Sequence, residues 1–229
     1  MLKVTFADAI AIANDEIEIQ IVSTPDQLLE VQRLRYTVYC LERGFEPGQN
    51  GLEQDIFDKQ AKHVLVRSRL TGDVLGTVRI VVPTLEAGHD RFPMQCACEP
   101  YVLAPLPIAT TGEISRFALT RERLGISPTT ASLMRLCLMR GIVKVSGQAG
   151  LTHWCAIMEL SLLRLLRATA IHFEPVGPLV DYHGVRQPVV ASVGTILNRI
   201  HLEQPVVWSF ITDSGVLWRD NIRGLDMVA

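Results

Sequence analysis

The chain has 229 residues, 48% of them apolar and 20% charged, with a net charge of −2. That suits one compact α/β domain over residues 1–229, undivided by any Ser/Pro-rich stretch or internal repeat, and nucleic acid is not an expected partner. No segment reaches the ~20 apolar residues of a membrane helix. MLKVTFADAIAIANDEIEI also lacks the basic start and apolar core of a signal peptide, so a cytoplasmic protein without membrane insertion is expected.

Ser23-Thr24-Pro25-Asp26-Gln27 is a helix start, with Thr24 as cap, Pro25 in the first turn and Gln27 completing a capping box. The helix is expected to run through LLEVQRLRYTVYCLE and stop near Gly44, before a loop, EPGQNGLEQDIFD. His63–Ser68 and VLGTVRIVVP read as an antiparallel hairpin turning at Leu70–Asp73. Residues 83–110 resist assignment. Glu113–Leu119 alternates as a strand, and after the loop RERLGISP a helix should run from Ser127-Pro128 to about Val145. THWCAIM is a buried-strand candidate and ELSLLRLLRATA a helix. IHFEPVG and RQPVVASV read as strands, and the short helix SVGTILNRIHLE precedes what reads as a polar tail. Strands alternating with helices after an antiparallel start imply a mixed sheet with helices on both faces.

Charge concentrates unevenly. Residues 1–60 carry eleven acids against five bases, whereas residues 121–170 carry seven bases against Glu122 and Glu159, a possible basic face for an acidic partner. Arg35 and Tyr39 lie one turn apart on the first helix; read alone, Arg35 is expected to snorkel its head to water. In the loop Glu53–Asp58, Ile56 and Phe57 should anchor the segment and leave Asp55 and Asp58 at its margin. Arg79 sits mid-strand. Glu113 and Ser115 share a strand face, and only a bulge would bring Arg116 to it. Carboxylates and arginines of several elements, set among core residues, point to a polar site at a sheet edge or cleft.

The five cysteines (Cys40, Cys96, Cys98, Cys137, Cys155), an odd number in a large chain, point to reduced thiols. Cys96-Ala-Cys98 lacks a second ligand pair at zinc spacing. His63, His89 and His183 share no metal spacing, and the arginines near Asp55-x2-Asp58 favour ion pairs over Mg²⁺, so no metal and no cofactor are expected.

Arg35-x3-Tyr39-x5-Phe45, Asp55-x2-Asp58, Arg79 and Glu113-x2-Arg116 together resemble the signature of the acyl-homoserine-lactone synthases. All six charged positions match. Tyr39 stands where that family has Phe, and Phe45 where it has Trp. Arg35 to Phe45 (with Val38-Tyr39-Cys40-Leu41-Glu42-Arg43-Gly44-Phe45), Leu52–Asp55, His63, Gly76–Arg79 and Glu113–Arg116 resemble more closely the acyltransferases associated with the PEP-CTERM/exosortase system, relatives of the long-chain N-acyl amino acid synthases. The resemblance spans about residues 30–120.

The resemblance implies a GNAT fold, a three-layer α-β-α sandwich whose two central strands splay, with Glu113–Leu119 and THWCAIM as the arms of the V. It implies an N-acyltransferase that moves a fatty acyl group from acyl carrier protein, or acyl-CoA, to a small amine, an amino acid above others. Glu113 is then the candidate general base, and Arg79 and Arg116 complete the catalytic set. Asp55 and Asp58 help hold the amine, and Arg35, Tyr39 and Phe45 close over the site. Arg121, Arg123 and Gly125 fall where such folds bind the phosphopantetheine phosphate. Two alternatives stand beside this reading: homoserine-lactone synthesis from S-adenosylmethionine, which Phe45 in place of Trp disfavours, and a non-catalytic acyl or lipid sensor. An acyl-enzyme on Cys155 lacks any group to orient His153.

Overall fold

The computed structural model describes residues 10, 13, 15–45, 47–84, 92–120 and 128–218, with Pro128 and Thr129 as backbone only. One eight-stranded mixed sheet organises the chain, in the order β1-β2-β3-β4-β5-β8-β6, with β7 also on β8. Its strands are β1 (Ile17–Ile21), β2 (Ala61–Ser68), β3 (Val74–Val81), β4 (Thr111–Leu119), β5 (His153–Glu159), β6 (Glu174–Pro175), β7 (Val180–Asp181) and β8 (Val185–Ser192). Every pairing is antiparallel except β4 with β5.

The first described helix, α1 (Pro25–Arg35), starts as its residues dictate. Thr24 caps the Gln27 N–H and Gln27 answers on the cap backbone. The helix does not continue regularly to Gly44: Tyr36–Glu42 widen into π-helical turns, which re-aim the side chains that follow Arg35. Its face, Val31, Leu34 and Val38, packs on Leu65, Val74 and Ala118.

The other face carries the main core. Helix α2 (Pro128–Ala149) lies across it, its Leu133, Leu136, Leu138, Ile142 and Val143 packing with Val64, Val66, Val78 and Ile80. Gly141 permits the close approach: a Cβ there would stand 2.3 Å from Val64 Cγ1. Helices α3 (Leu160–Arg167), α4 (Val193–Glu203) and α5 (Pro205–Thr212) complete the layer. Trp154 reaches it from β5 and donates its indole N–H to Ser146 Oγ at 2.8 Å.

Three expectations need correcting. β1 was not anticipated, because IEIQI follows acidic residues and alternates weakly; it is an edge strand on β2. The segment after α4 is not a polar tail, since Pro205 starts a new helix whose Val207, Phe210 and Ile211 are buried. IHFEPVG contributes only the two residues of β6.

Candidate active site

β4 and β5 pair only at Thr111↔His153, Gly112↔Trp154 and Glu113↔Cys155, and then separate. The expected V is therefore present, and its crotch lies at Glu113. A cleft of about 530 Å³ fills the opening, within the range of small-molecule sites. Ile114 to Leu119 form one wall and Ile157, Met158 and Glu159 the other. Its floor is largely apolar, with Ala131, Met139, Leu162, Leu165, Leu166 and Phe173. At the crotch a smaller cavity of about 40 Å³ is lined by Tyr39, Phe45, Glu53, Glu113, Ser115, Arg116, Tyr182, His183 and Arg186 among others.

The bulge required of β4 is there. The β3–β4 register shifts between Arg79↔Ser115 and Thr77↔Ala118, and Arg116 takes a left-handed φ of 50°. The shift brings Arg116 to the face of Ser115. Side by side on that face stand Arg79 and Arg116, joined by Arg35 from the end of α1.

These three arginines and three carboxylates form a closed ring of alternating charge. Arg35 bonds Glu53 through Nε and Asp58 through an amino group at 2.8 Å. Asp58 accepts from Arg79 at 2.8 Å, and Arg79 bonds Asp55 as well. Asp55 accepts from Arg116 at 3.1 Å, and Arg116 Nε returns to Glu53 at 2.9 Å, which closes the circuit. Arg79 Nε also donates to Ser115 Oγ at 3.0 Å. The loop presents its acids because Asp55 caps a single 3-10 turn, Ile56–Gln60, accepting from the Phe57 N–H at 2.9 Å.

Several anticipated roles change. Arg35 does not snorkel and does not close over the site; its side chain is 0% exposed. Ile56, expected to anchor the loop, is 77% exposed, and the ionic ring holds the loop instead, with Phe57 as the apolar contact. The third acid of the ring is Glu53, passed over in favour of Glu113. Burial is the largest single influence on Asp58 and works to raise its pKa, but the combined pairing with Arg35 and then Arg79 outweighs it and holds the carboxyl far below its usual range. His63, beside Arg79 on β2, is buried and its pKa falls to about 4, chiefly through desolvation.

Glu113 stands apart from the ring. It is 2% exposed, and Oε2 accepts the Met94 N–H at 2.8 Å. Burial raises its pKa to about 8, only partly offset by the Met94 N–H, Arg79 and Arg116. Tyr39 donates its hydroxyl to the Phe117 carbonyl at 3.2 Å, and Arg116 stacks on its ring at 5.7 Å. Phe45 lies 6.5 Å from Tyr39 and 5.5 Å from His183, ring centre to ring centre.

A family model described as an acetyltransferase (GNAT) domain matches residues 34–125. Among solved structures, TofI in a ternary complex with an inhibitor and MTA aligns with a TM-score of 0.62 at 20% identity, over 83% of this chain and 99% of that one. BjaI, a CoA-dependent acyl-homoserine lactone synthase with SAM and isopentyl-CoA, gives 0.61 at 21% identity over 81% and 88%. FeeM, an N-acyl amino acid synthase from uncultured soil microbes, gives 0.59 at 16% identity over 82% and 97%. The chain has the GNAT fold. No curated protein matches.

Within this GNAT fold the expected phosphate-loop residues Arg121, Arg123 and Gly125 lie outside the described residues. The basic residues after them do not share one surface. Arg135 lines the cleft, whereas Arg140 pairs with Asp213 at 2.9 Å and with the Phe210 carbonyl. Cys155 is fully buried, its thiol pushed well up by desolvation, and the His153 ring is engaged by Thr152 at 2.9 Å. No group of three or more metal-ligating side chains occurs among the described residues, and none of their helices is long and apolar enough to cross a membrane. Sequence reasoning missed Tyr182 and Arg186 at the cavity; only strand pairing, Glu159↔Arg186, brings them there.

Proposed function

We propose that the protein is an N-acyltransferase that moves a fatty acyl group from acyl carrier protein, or acyl-CoA, to the amine of a small molecule, an amino acid. The observation that carries this reading is the unpaired, buried carboxyl of Glu113 at the crotch of the V, beside a cavity that opens on an apolar cleft. The thioester arm would lie between β4 and β5, with its acyl chain along Leu162, Leu166 and Phe173.

In the reaction an amine nitrogen forms a bond to the thioester carbonyl carbon and the carbon–sulfur bond breaks. The acceptor's ammonium first loses a proton through Glu113 to solvent. After attack the nitrogen gives its second proton to Glu113, directly or through water, and that proton is passed to the departing thiolate. A base with a pKa near 8 is matched to this task, worth ~10²–10⁴-fold in rate. N–H groups of the β4 arm, released from β5, would stabilise the oxyanion. The ionic ring holds β3, β4 and the 53–58 loop in register, so Arg35, Arg79, Asp55 and Asp58 act as positioning residues. Tyr39 and Phe45 line the acceptor cavity.

Acyl carrier protein as donor, with Arg121, Arg123 and Gly125 at its phosphate, is what the family resemblance implies. No cysteine is in a disulfide, which fits a cytoplasmic setting. The stretch from Arg35 to Phe45 supports the PEP-CTERM-associated branch. BjaI with SAM supports the second reading, lactone synthesis from S-adenosylmethionine. One experiment tests both: acyl carrier protein charged with a long-chain acyl group is offered a pool of amino acids plus S-adenosylmethionine, and products are weighed. An open N-acyl amino acid is expected; a lactone selects the second reading, and release of no carrier thiol with any amine rejects transfer.

A further inference from the structure

Two guanidiniums share one carboxylate beside the crotch cavity: Arg186 lines both that cavity and the cleft, while Arg43 and Glu159 line the cleft. Arg43 and Arg186 both pair with Glu159, Arg186 at 3.3 Å. Both also approach the Phe45 ring, at 5.6 and 5.5 Å from its centre. The cluster therefore carries one positive charge in excess. Arg186 lines the cavity together with Glu113, its side chain is 14% exposed, and its buried Nε has no hydrogen-bond partner among the described residues. A buried guanidinium N–H without an acceptor is costly, and a bound anion would relieve it.

We propose that Arg186 determines acceptor specificity by receiving the carboxylate of an α-amino acid whose amine meets Glu113. The inference rests on the acyl-transfer reading of the same cavity. Two features select a carboxylate on the acceptor over the phosphate of the donor arm. The cavity of about 40 Å³ holds on the order of three water-sized spheres, the scale of the three heavy atoms of a carboxylate. The donor's phosphate, moreover, is separated from the thioester by the whole pantetheine arm, so it cannot reach a residue that shares this cavity with the base. Phe45 keeps the guanidinium plane in place by stacking, and Glu159 fixes its far edge.

The test compares acceptors and variants with one acyl donor. The amino acid that the wild type acylates fastest is set against the amine of the same side chain lacking the carboxylate. The wild type should prefer the amino acid by roughly 10- to 100-fold in kcat/KM, the range of a charged hydrogen bond. In Arg186→Gln that preference should shrink to a few-fold, through a higher KM for the amino acid with the KM for the acyl donor unchanged. Arg186→Lys, which keeps the charge without the fork, should recover part of it. Equal use of both acceptors by the wild type overturns the inference while leaving acyl transfer intact. A rise in donor KM instead would assign Arg186 to the thioester arm. Turnover of no acceptor at all would remove the acyl-transfer reading and this inference together.

Discussion

Asp58 and Glu113 are both buried carboxyls behind the same stretch of sheet, and their surroundings drive them in opposite directions. Asp58 closes a ring in which each acid meets two arginines, and it stays ionised far into acid. Among the described residues Glu113 meets one backbone N–H and no arginine directly, and its pKa rises to about 8. Burial alone therefore does not mark the reactive group. What separates scaffold from chemistry is whether the charge is answered. The ring's members are committed to one another, while Glu113 can exchange a proton near neutral pH.

The contrast is broken most forcefully from the ring side. Arg79→Ala leaves the buried Asp58 and the half-buried Asp55 with one cation fewer, and loss of one partner in a buried pair costs about 3–5 kcal/mol. Urea unfolding should show a large fall in midpoint, and inactivity should follow from unfolding. An unchanged midpoint would mean that the ring is not what holds the 53–58 loop to the sheet. Glu113→Gln should do the reverse, keeping the fold and the Met94 contact while turnover drops ~10²–10⁴-fold. Wild-type turnover in that variant would remove Glu113 as the base.

Proton linkage sharpens the same contrast. Glu113 has a folded pKa near 8 against an ordinary value of 4.5, so the unfolded chain gives up its proton first. Its contribution to stability is therefore present below about pH 4.5 and is lost as pH rises to about 8. Asp58 runs the other way: its lowered value stabilises the fold above the ordinary carboxylate range, and that is lost as pH falls. Denaturant titrations from pH 5 to 9 should show Glu113→Gln gaining on the wild type as pH rises, and a flat difference would contradict the raised pKa. The wild-type kcat/KM should climb toward a plateau above about pH 8, as the base form fills.

How much of this was legible in the sequence depends on the range over which each signal acts. The capping box at Thr24 and Gln27 and the β2–β3 hairpin are local, and residues a few positions apart announce them. Glu113–Leu119 and THWCAIM each show strand character in their residues, whereas their splaying was implied only by the family resemblance. Arg116 posed a sharp question, since alternation pointed it away and a bulge had to restore it. The φ of 50° supplies that bulge, and no residue type at 116 foretells it. Glu53 was visible, but the Asp-x2-Asp spacing drew attention from it, and only the ring shows that the three acids act together. Arg186 was beyond reach, because the pairing of β8 with β5, far apart in the chain, sets its position. Buried Arg35 also misled: snorkelling is the ordinary fate of a lone arginine, and its carboxylates lie 18 and 23 residues away.

The smallest effect concerns the fastening between the two regions. Tyr39 leaves the π-helical turns and donates its hydroxyl to the Phe117 carbonyl on the outer part of β4, while its ring lies against Arg116 of the ionic ring. Tyr39→Phe removes the hydroxyl and keeps the ring, and so separates these two contacts. Loss of one hydrogen bond of this kind costs about 0.5–1.5 kcal/mol, a modest fall in the unfolding midpoint. Arg116 should stay stacked and the Glu113 environment intact, so the kcat/KM plateau should still lie above about pH 8. If Tyr39→Phe shifts that pH profile, the π-helical segment bears on the base itself, and the division into a committed ring and an independent Glu113 is too simple.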